Sequence, residues 1–300
     1  MMPASAENTH GVEMSAATTL SNRFRVERLS GGSLGAEITG ITLSPDMDDA
    51  TVAALRRIWL DHGVVFFRDQ DLPPAQFLGV ARRFGEVVEY PFVKGLDGFP
   101  EITPVVKLEN DRHNFGGVWH SDTTYLDEPP MGSMLYALDV PPQGGDTIFA
   151  NQYAAYDTLS DGMKHLIANL RAVHSDRRVA GPQAGMNAHR STKVREDAAW
   201  RETVNIHPVV RTHPETGRKC LFVNHSYCVG FEGMTEAESR PLLDFLMDHG
   251  HRPEFTCRFR WEKGSIAFWD NRSTKHLAVN DSHTHRRHMR RVQIAGDRPV

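Results

Sequence analysis

EFTCRFRWEKGSIAFWDNRSTKHLAVNDSHTHRRHMRRVQIAG, residues 254–296, decides the fold. Three runs, EFTCRFRWE, SIAFWDN and HMRRVQIAG, read as strands, the first two joined by the turn residues Lys263 and Gly264. A parallel α/β fold needs a helix between successive strands, and residues 251–300 offer none. The stretch predicts a mainly β, antiparallel fold, a sandwich or jelly roll with flanking helices packed outside.

Working outward, further strands are predicted at FRVERL and SLGAEITGI, from Arg23 on, and at GVVFFRD (63–69), SMLYALDV (133–140) and TIFAN (147–151). HPVVRTH and KCLFVNHSY form a pair around the turn signals of PETGR. Helices are predicted over Met47–Leu60 and over 71–85, the latter with Pro73 and Pro74 near its start and Gly85 past its end. The clearest helix runs from Thr235 to His249, where Thr235 and Glu238 make a capping box. AAYDTLSDGMKHLIANL is broken by a turn at 160–162, with helical period from Met163 to Leu170. Residues 1–22 predict a disordered leader and 23–300 a single domain. The weakly patterned polar stretch 176–205 predicts a lid over an active site.

Of the 300 residues, 40% are hydrophobic and 24% charged, as in a folded globular protein, and the net charge is -4. With no basic excess to neutralise phosphates, a nucleic-acid partner is not expected. No run is long enough to span a bilayer and no signal peptide precedes Arg23, so neither a membrane partner nor export is expected, and cytoplasmic residence is. Cys220, Cys228 and Cys257 are odd in number and match no zinc or disulfide spacing, which predicts reduced thiols used as small core residues.

Chemistry concentrates at WHSD, residues 119–122. In an extended segment His120 and Asp122 point to one side and can share a metal ion. Among 16 histidines such a pair also arises by chance. The second motif is WDNRSTKH, 269–276, an apolar strand running into a polar turn that ends in His276. Two imidazoles and one carboxylate form the facial triad of non-haem iron oxygenases, which leaves three positions of an octahedral ion open. Zinc in a hydrolase more often takes three histidines or two with a glutamate. Eleven residues beyond His276 lies Arg287, in THRRHMRRV, a forked cation suited to a carboxylate. As a strand, that stretch sets Arg287, Met289 and Arg291 on one face and Arg286, His288 and Arg290 on the other; a solvated edge explains a basic cluster equally well. In GGDT, 144–147, the glycines permit a tight turn and Thr147 offers a hydroxyl.

In order and spacing, WHSDTTY, PPMGSMLYA, GGDT, HPVVRTHPETGRK, LFVNHSY, WDNRSTKH and HRRHMRRVQIAGDRP resemble the taurine / 2,4-dichlorophenoxyacetate dioxygenase family, from about Arg23 to the C-terminus. The resemblance implies a double-stranded β-helix (jelly roll) enzyme that couples decarboxylation of 2-oxoglutarate to hydroxylation of a small acid, with O2 as the other cosubstrate. Carried over by position, it implies that His120, Asp122 and His276 hold Fe(II). Arg287 and Thr147 then hold the C5 carboxylate of 2-oxoglutarate, Arg291 the substrate anion, and Tyr90 and Tyr227 line the pocket. It also implies a homo-oligomer, a dimer or tetramer. EYPFVKG, where taurine-type members are histidine-rich, points to another acid: an alkylsulfonate, an alkyl sulfate or, from HSDRRVAG and FVNHSYCVGFEGMTEAES, a phenoxyalkanoate. The alternatives are a non-redox metal-dependent hydrolase or isomerase on the same barrel, and a ligand-binding jelly roll.

Overall fold

Strands that read as continuous apolar runs are buried on both faces, and this sets the layers of the molecule. The computed structural model describes residues 24–31, 34–180, 191–192, 200–282 and 284–300. The expected leader, 1–22, and residues 181–190 and 193–199 of the expected lid lie outside the described residues. In chain order the elements are β1 Arg25–Arg28, β2 Ala36–Thr39, α1 Asp49–His62, β3 Val64–Phe67, α2 Pro74–Arg82, β4 Val87–Val88, β5 Thr103–Lys107 and β6 Gly132–Asp139. Next come β7 Thr147–Asn151, α3 Gln152–Asp157, α4 Asp161–Ile167, β8 Arg171–Ser175, β9 Val204–Pro208, β10 Val210–Thr212, β11 Lys219–Leu221 and β12 Cys228–Phe231. The last are α5 Glu236–His249, β13 Thr256–Phe259, β14 Ile266–Asp270, β15 Thr274–Ala278 and β16 Arg287–Ile294.

The larger sheet runs β1-β2-β3-β14-β6-β16-β4, with β5 also on β16, and the smaller runs β13-β7-β15. Between them lie Phe66, Leu135, Phe149, Phe259, Trp269 and Met289. The alternate residues of the larger sheet, Phe67, Tyr136, Phe268 and Val292 among them, face the other way and bury Trp59 of α1 and Phe77 of α2. Trp59 stacks on Phe268 with ring centroids 4.3 Å apart. A third cluster packs α5, through Leu243, Leu246 and Met247, against Phe231 and Ala172 of the β12-β8-β9 sheet. The architecture is the jelly roll with outer helices read from residues 251–300.

Helix α5 carries the expected capping box, with Thr235 accepting from the Glu238 N–H and Glu238 accepting from that of Thr235. Other expectations shift. EFTCRFRWE pairs only from Thr256, because Pro253–Phe255 form a 3-10 turn. KCLFVNHSY leaves the strand after Leu221, where the Asn224 side chain accepts from the Tyr227 N–H and bends the chain. The second half of AAYDTLSDGMKHLIANL starts two residues early, at Asp161, capped by Ser160. Cys220, Cys228 and Cys257 are buried and unpaired, and burial pushes each thiol up to about 12, so none is an available nucleophile. No helix among the described residues is long and apolar enough to cross a membrane.

Candidate active site

Sheet register brings the site together. His276 sits in the middle of β15, opposite Phe149 of β7, and Thr147 opposes Ala278, so His276 and Thr147 face the interior from neighbouring strands. The expected polar turn before His276 is shorter than the sequence suggests, since pairing resumes at Thr274. WHSD is not a strand either. His120 makes one isolated antiparallel bridge to His276, its N–H donating to His276 O at 3.1 Å and its carbonyl accepting from His276 N–H at 2.7 Å. The chain then turns, with Thr123 at φ 45. The geometry that the motif needs therefore comes from a single bridge rather than from a run of pairing.

The ligand atoms of His120, Asp122 and His276 lie within 4.8 Å of one another, all three residues buried. Asp122 Oδ1 is 3.7 Å from His120 Nε2 and 4.0 Å from His276 Nε2. Cis donors at about 2.1 Å from one octahedral ion stand about 3.0 Å apart, so the three ligand atoms can share an ion after closing by about 1 Å. His120 Nδ1 donates to Val118 O at 2.7 Å, which leaves the Nε2 lone pair facing Asp122. Burial pushes both imidazoles below the usual histidine range, so they are neutral ligands. Burial alone would raise the Asp122 carboxyl; Arg291 and the two imidazoles outweigh it and hold the group at about 2. Gly116, at φ 79, leaves room for the ring: a Cβ there would stand 3.1 Å from His120 Cε1.

Two cavities meet at the triad and share Phe115, Gly116, His120 and Arg291. One reaches Thr147, Trp269 and Arg287, the other Tyr90, Ser226 and Tyr227. Arg287, Met289 and Arg291 form the inner face of β16, as the alternation predicts, and a solvated edge is ruled out: both arginines are at most 5% exposed. The Nε and Nη2 of each find no hydrogen-bond acceptor among the described residues. Burial pushes the Arg287 guanidinium down to about 10. Trp261 Nε1 donates to Thr147 Oγ1 at 2.9 Å, so the hydroxyl proton of Thr147 is left for another acceptor. Arg291 Nη1 donates to Asp122 Oδ1 at 3.1 Å, and its Cζ stands 4.5 Å from the Tyr90 ring centre. Buried cationic donors without acceptors are costly unless an anion fills the space, and here two such groups flank one metal-competent triad.

The family model described as taurine catabolism dioxygenase TauD, TfdA family, matches residues 25–293. This chain belongs to that family. It is 39% identical, over 90% of its own length and 89% of the relative's, to the alpha-ketoglutarate-dependent sulfate ester dioxygenase of Pseudomonas putida. It is 36% identical, over 89% of its length and 83% of the relative's, to the alkylsulfatase of Acinetobacter baylyi. The crystal structure of a taurine dioxygenase from Burkholderia xenovorans superposes with a TM-score of 0.78 at 36% identity, covering 93% of this chain and 91% of that one.

This member of the TauD/TfdA family is an Fe(II)- and 2-oxoglutarate-dependent dioxygenase that uses O2. The comparisons do not favour the hydrolase, isomerase or ligand-binding alternatives. Its fold brings together all eight residues singled out in the sequence: His120, Asp122, His276, Thr147, Arg287, Arg291, Tyr90 and Tyr227. Sequence reading missed Trp261, Phe115 and Gly116, of which only FGG at 115–117 carried a signal, a glycine pair beside WHSD. It missed Ser133 and Asn271 as well.

Proposed function

We propose that this dioxygenase oxidises a small organic sulfate ester. In this reading His120, Asp122 and His276 hold Fe(II), Thr147 and Arg287 hold the far carboxylate of 2-oxoglutarate, and Arg291 holds the sulfate beside Tyr90 and Tyr227. The carrying observation is the position of Arg291: buried, with no acceptor for Nε and Nη2 among the described residues, on the wall common to both cavities and bonded to Asp122. An anion seated on those donors sets the carbon that carries it beside the triad.

Held by His120, Asp122 and His276, Fe(II) would supply O2 activation coupled to the conversion of 2-oxoglutarate to succinate and CO2, and with it the hydroxylation of a substrate C–H. The chain's own residues bind and orient. Arg287 offers a charge-assisted pair of donors and Thr147 a hydroxyl whose direction Trp261 fixes. Phe115 walls both cavities and Tyr90 the second, placing aromatic surface beside the triad. A hydroxyl added to the carbon bearing the ester oxygen gives a hemiacetal sulfate; its C–O bond to sulfate breaks, the hydroxyl proton leaves, and an aldehyde and sulfate result.

Apart from Asp122, the described lining of the second cavity holds no carboxylate to pair an ammonium, which supports an alkyl sulfate over an aminosulfonate such as taurine. The names of the two bacterial relatives support the same choice. Residues 23–300 act as one catalytic domain with 176–205 as its lid; Val179 lines the substrate cavity in support. Buried, unpaired thiols support cytoplasmic residence. The test is succinate formation with alkyl sulfates, alkylsulfonates and phenoxyalkanoates, with and without O2. O2-dependent succinate with equimolar sulfate from alkyl sulfates is expected. Turnover with phenoxyalkanoates alone would reassign the substrate to aryloxy acids.

A further inference from the structure

Both oxygens of Asp122 are committed, and the second is held by groups with no assigned role. Ser133 Oγ, on the inner face of β6, donates to Asp122 Oδ2 at 2.6 Å. Asn271 Nδ2 donates to Ser133 Oγ at 3.0 Å. Asn271 Oδ1 accepts from the Asp122 backbone N–H at 3.1 Å and from Trp269 Nε1 at 2.9 Å. All these groups are buried. The directions follow from the donors: two N–H groups meet one atom of the Asn271 amide, so that atom is the oxygen and the other end must donate. With its oxygen already accepting, the Ser133 proton goes to Asp122.

We infer that Ser133 and Asn271 are positioning residues that keep Asp122 a one-oxygen ligand, an inference that rests on reading the triad as the iron site. A carboxylate free at both oxygens can take two of six positions on an ion. The triad must leave three, two for 2-oxoglutarate and one for O2. The short bond from Ser133 occupies Oδ2 and leaves Oδ1 alone facing the imidazoles. The ring has a second task. The chain turns away from the sheet at Asp122, so its N–H has no strand partner, and the Asn271 side chain replaces one. Asn271 lies in the β14–β15 turn, five residues before His276. One ring of bonds therefore ties the ligand on the loop to the hairpin that carries the ligand on the strand.

The test is Ser133→Ala, which removes one oxygen and no packing volume elsewhere, with Ser133→Thr as the variant that restores the hydroxyl. Under anaerobic conditions Fe(II) binding is measured by calorimetry. 2-Oxoglutarate binding is then followed by the visible charge-transfer band of the Fe(II) complex, and the apoprotein melting temperature is recorded. S133A is expected to bind Fe(II) within about threefold of the parent but to lose roughly 10- to 100-fold in 2-oxoglutarate affinity, with a weakened band. S133T is expected to recover both. Unchanged 2-oxoglutarate affinity in S133A would overturn the inference. So would parallel losses of Fe(II) binding, 2-oxoglutarate binding and melting temperature, which would mark a structural role only. Absence of the band in the parent protein would overturn the iron reading itself, and this inference with it.

Discussion

Replacing Arg287 by methionine separates binding from folding more sharply than any other single change. The side chain is 4% exposed, and Nε and Nη2 have no acceptor among the described residues. Its guanidinium lies 5.6 Å from the Trp261 ring and is pushed down to about 10 by burial, with Asp146 opposing. Removing the partner of a desolvated carboxylate costs about 2–5 kcal/mol, much of it from the charge left behind. At about 1.4 kcal/mol per factor of ten, that is roughly thirty-fold to several thousand-fold in 2-oxoglutarate affinity. Thr147 remains to hold the same end, so the expected loss is about two orders of magnitude. Stability should move the other way. A base held below its ordinary value in the folded state opposes folding at every pH where it is still charged, and is relieved only as pH rises through about 10. Methionine removes that charge and fills similar space, so the cosubstrate-free variant should melt no lower than the parent. The assay pairs anaerobic 2-oxoglutarate titration of the Fe(II) protein with thermal melting of the apoprotein. An affinity within about threefold of the parent would refute the role of Arg287. A loss that tracks a lowered melting temperature would refute the reasoning from buried charge.

Arg291→Met should weaken the sulfate substrate by orders of magnitude and leave 2-oxoglutarate affinity nearly unchanged; the reverse pattern in steady-state kinetics would exchange the roles of the two arginines. His174 is fully buried, bonded to Thr124 Oγ1 at 2.8 Å, and held well below 6.5 by burial and by His207. Its neutral form is required in the fold, so it contributes a loss of stability as pH falls below 6.5, by up to about 1.4 kcal/mol per pH unit. Urea midpoints at pH 7.5 and 5.5 should converge in His174→Asn relative to the parent; an unchanged difference counts against this residue. Thr235→Ala breaks the capping box of α5 and should cost about 1 kcal/mol in urea unfolding, with no change in 2-oxoglutarate binding.

What could be read in the sequence was what local pattern encodes. The alternation in HRRHMRRV set Arg287 and Arg291 on one face, and the capping box fixed the start of α5 to the residue. Fold class followed from residues 251–300 because strand period and turn residues lie close together there. Where pairing partners are remote, pattern gave less. Local pattern sets His276 at the end of a turn, although it is mid-strand, because β7 is about 125 residues away and nothing near His276 announces the pairing. WHSD needs extended backbone to set His120 and Asp122 on one side, and one bridge at His120 supplies its only pairing among the described residues. The ring through Ser133 and Asn271 joins residues 11 and 149 positions from Asp122, and such a ring exists only once three chain segments have met.

Iron K-edge anomalous diffraction from crystals grown without O2, in the presence of Fe(II) and 2-oxoglutarate, tests the shared ion most directly. The expected result is one peak bounded by Nε2 of His120, Nε2 of His276 and Oδ1 of Asp122. A peak elsewhere, or coordination by any other set of side chains, would contradict the account.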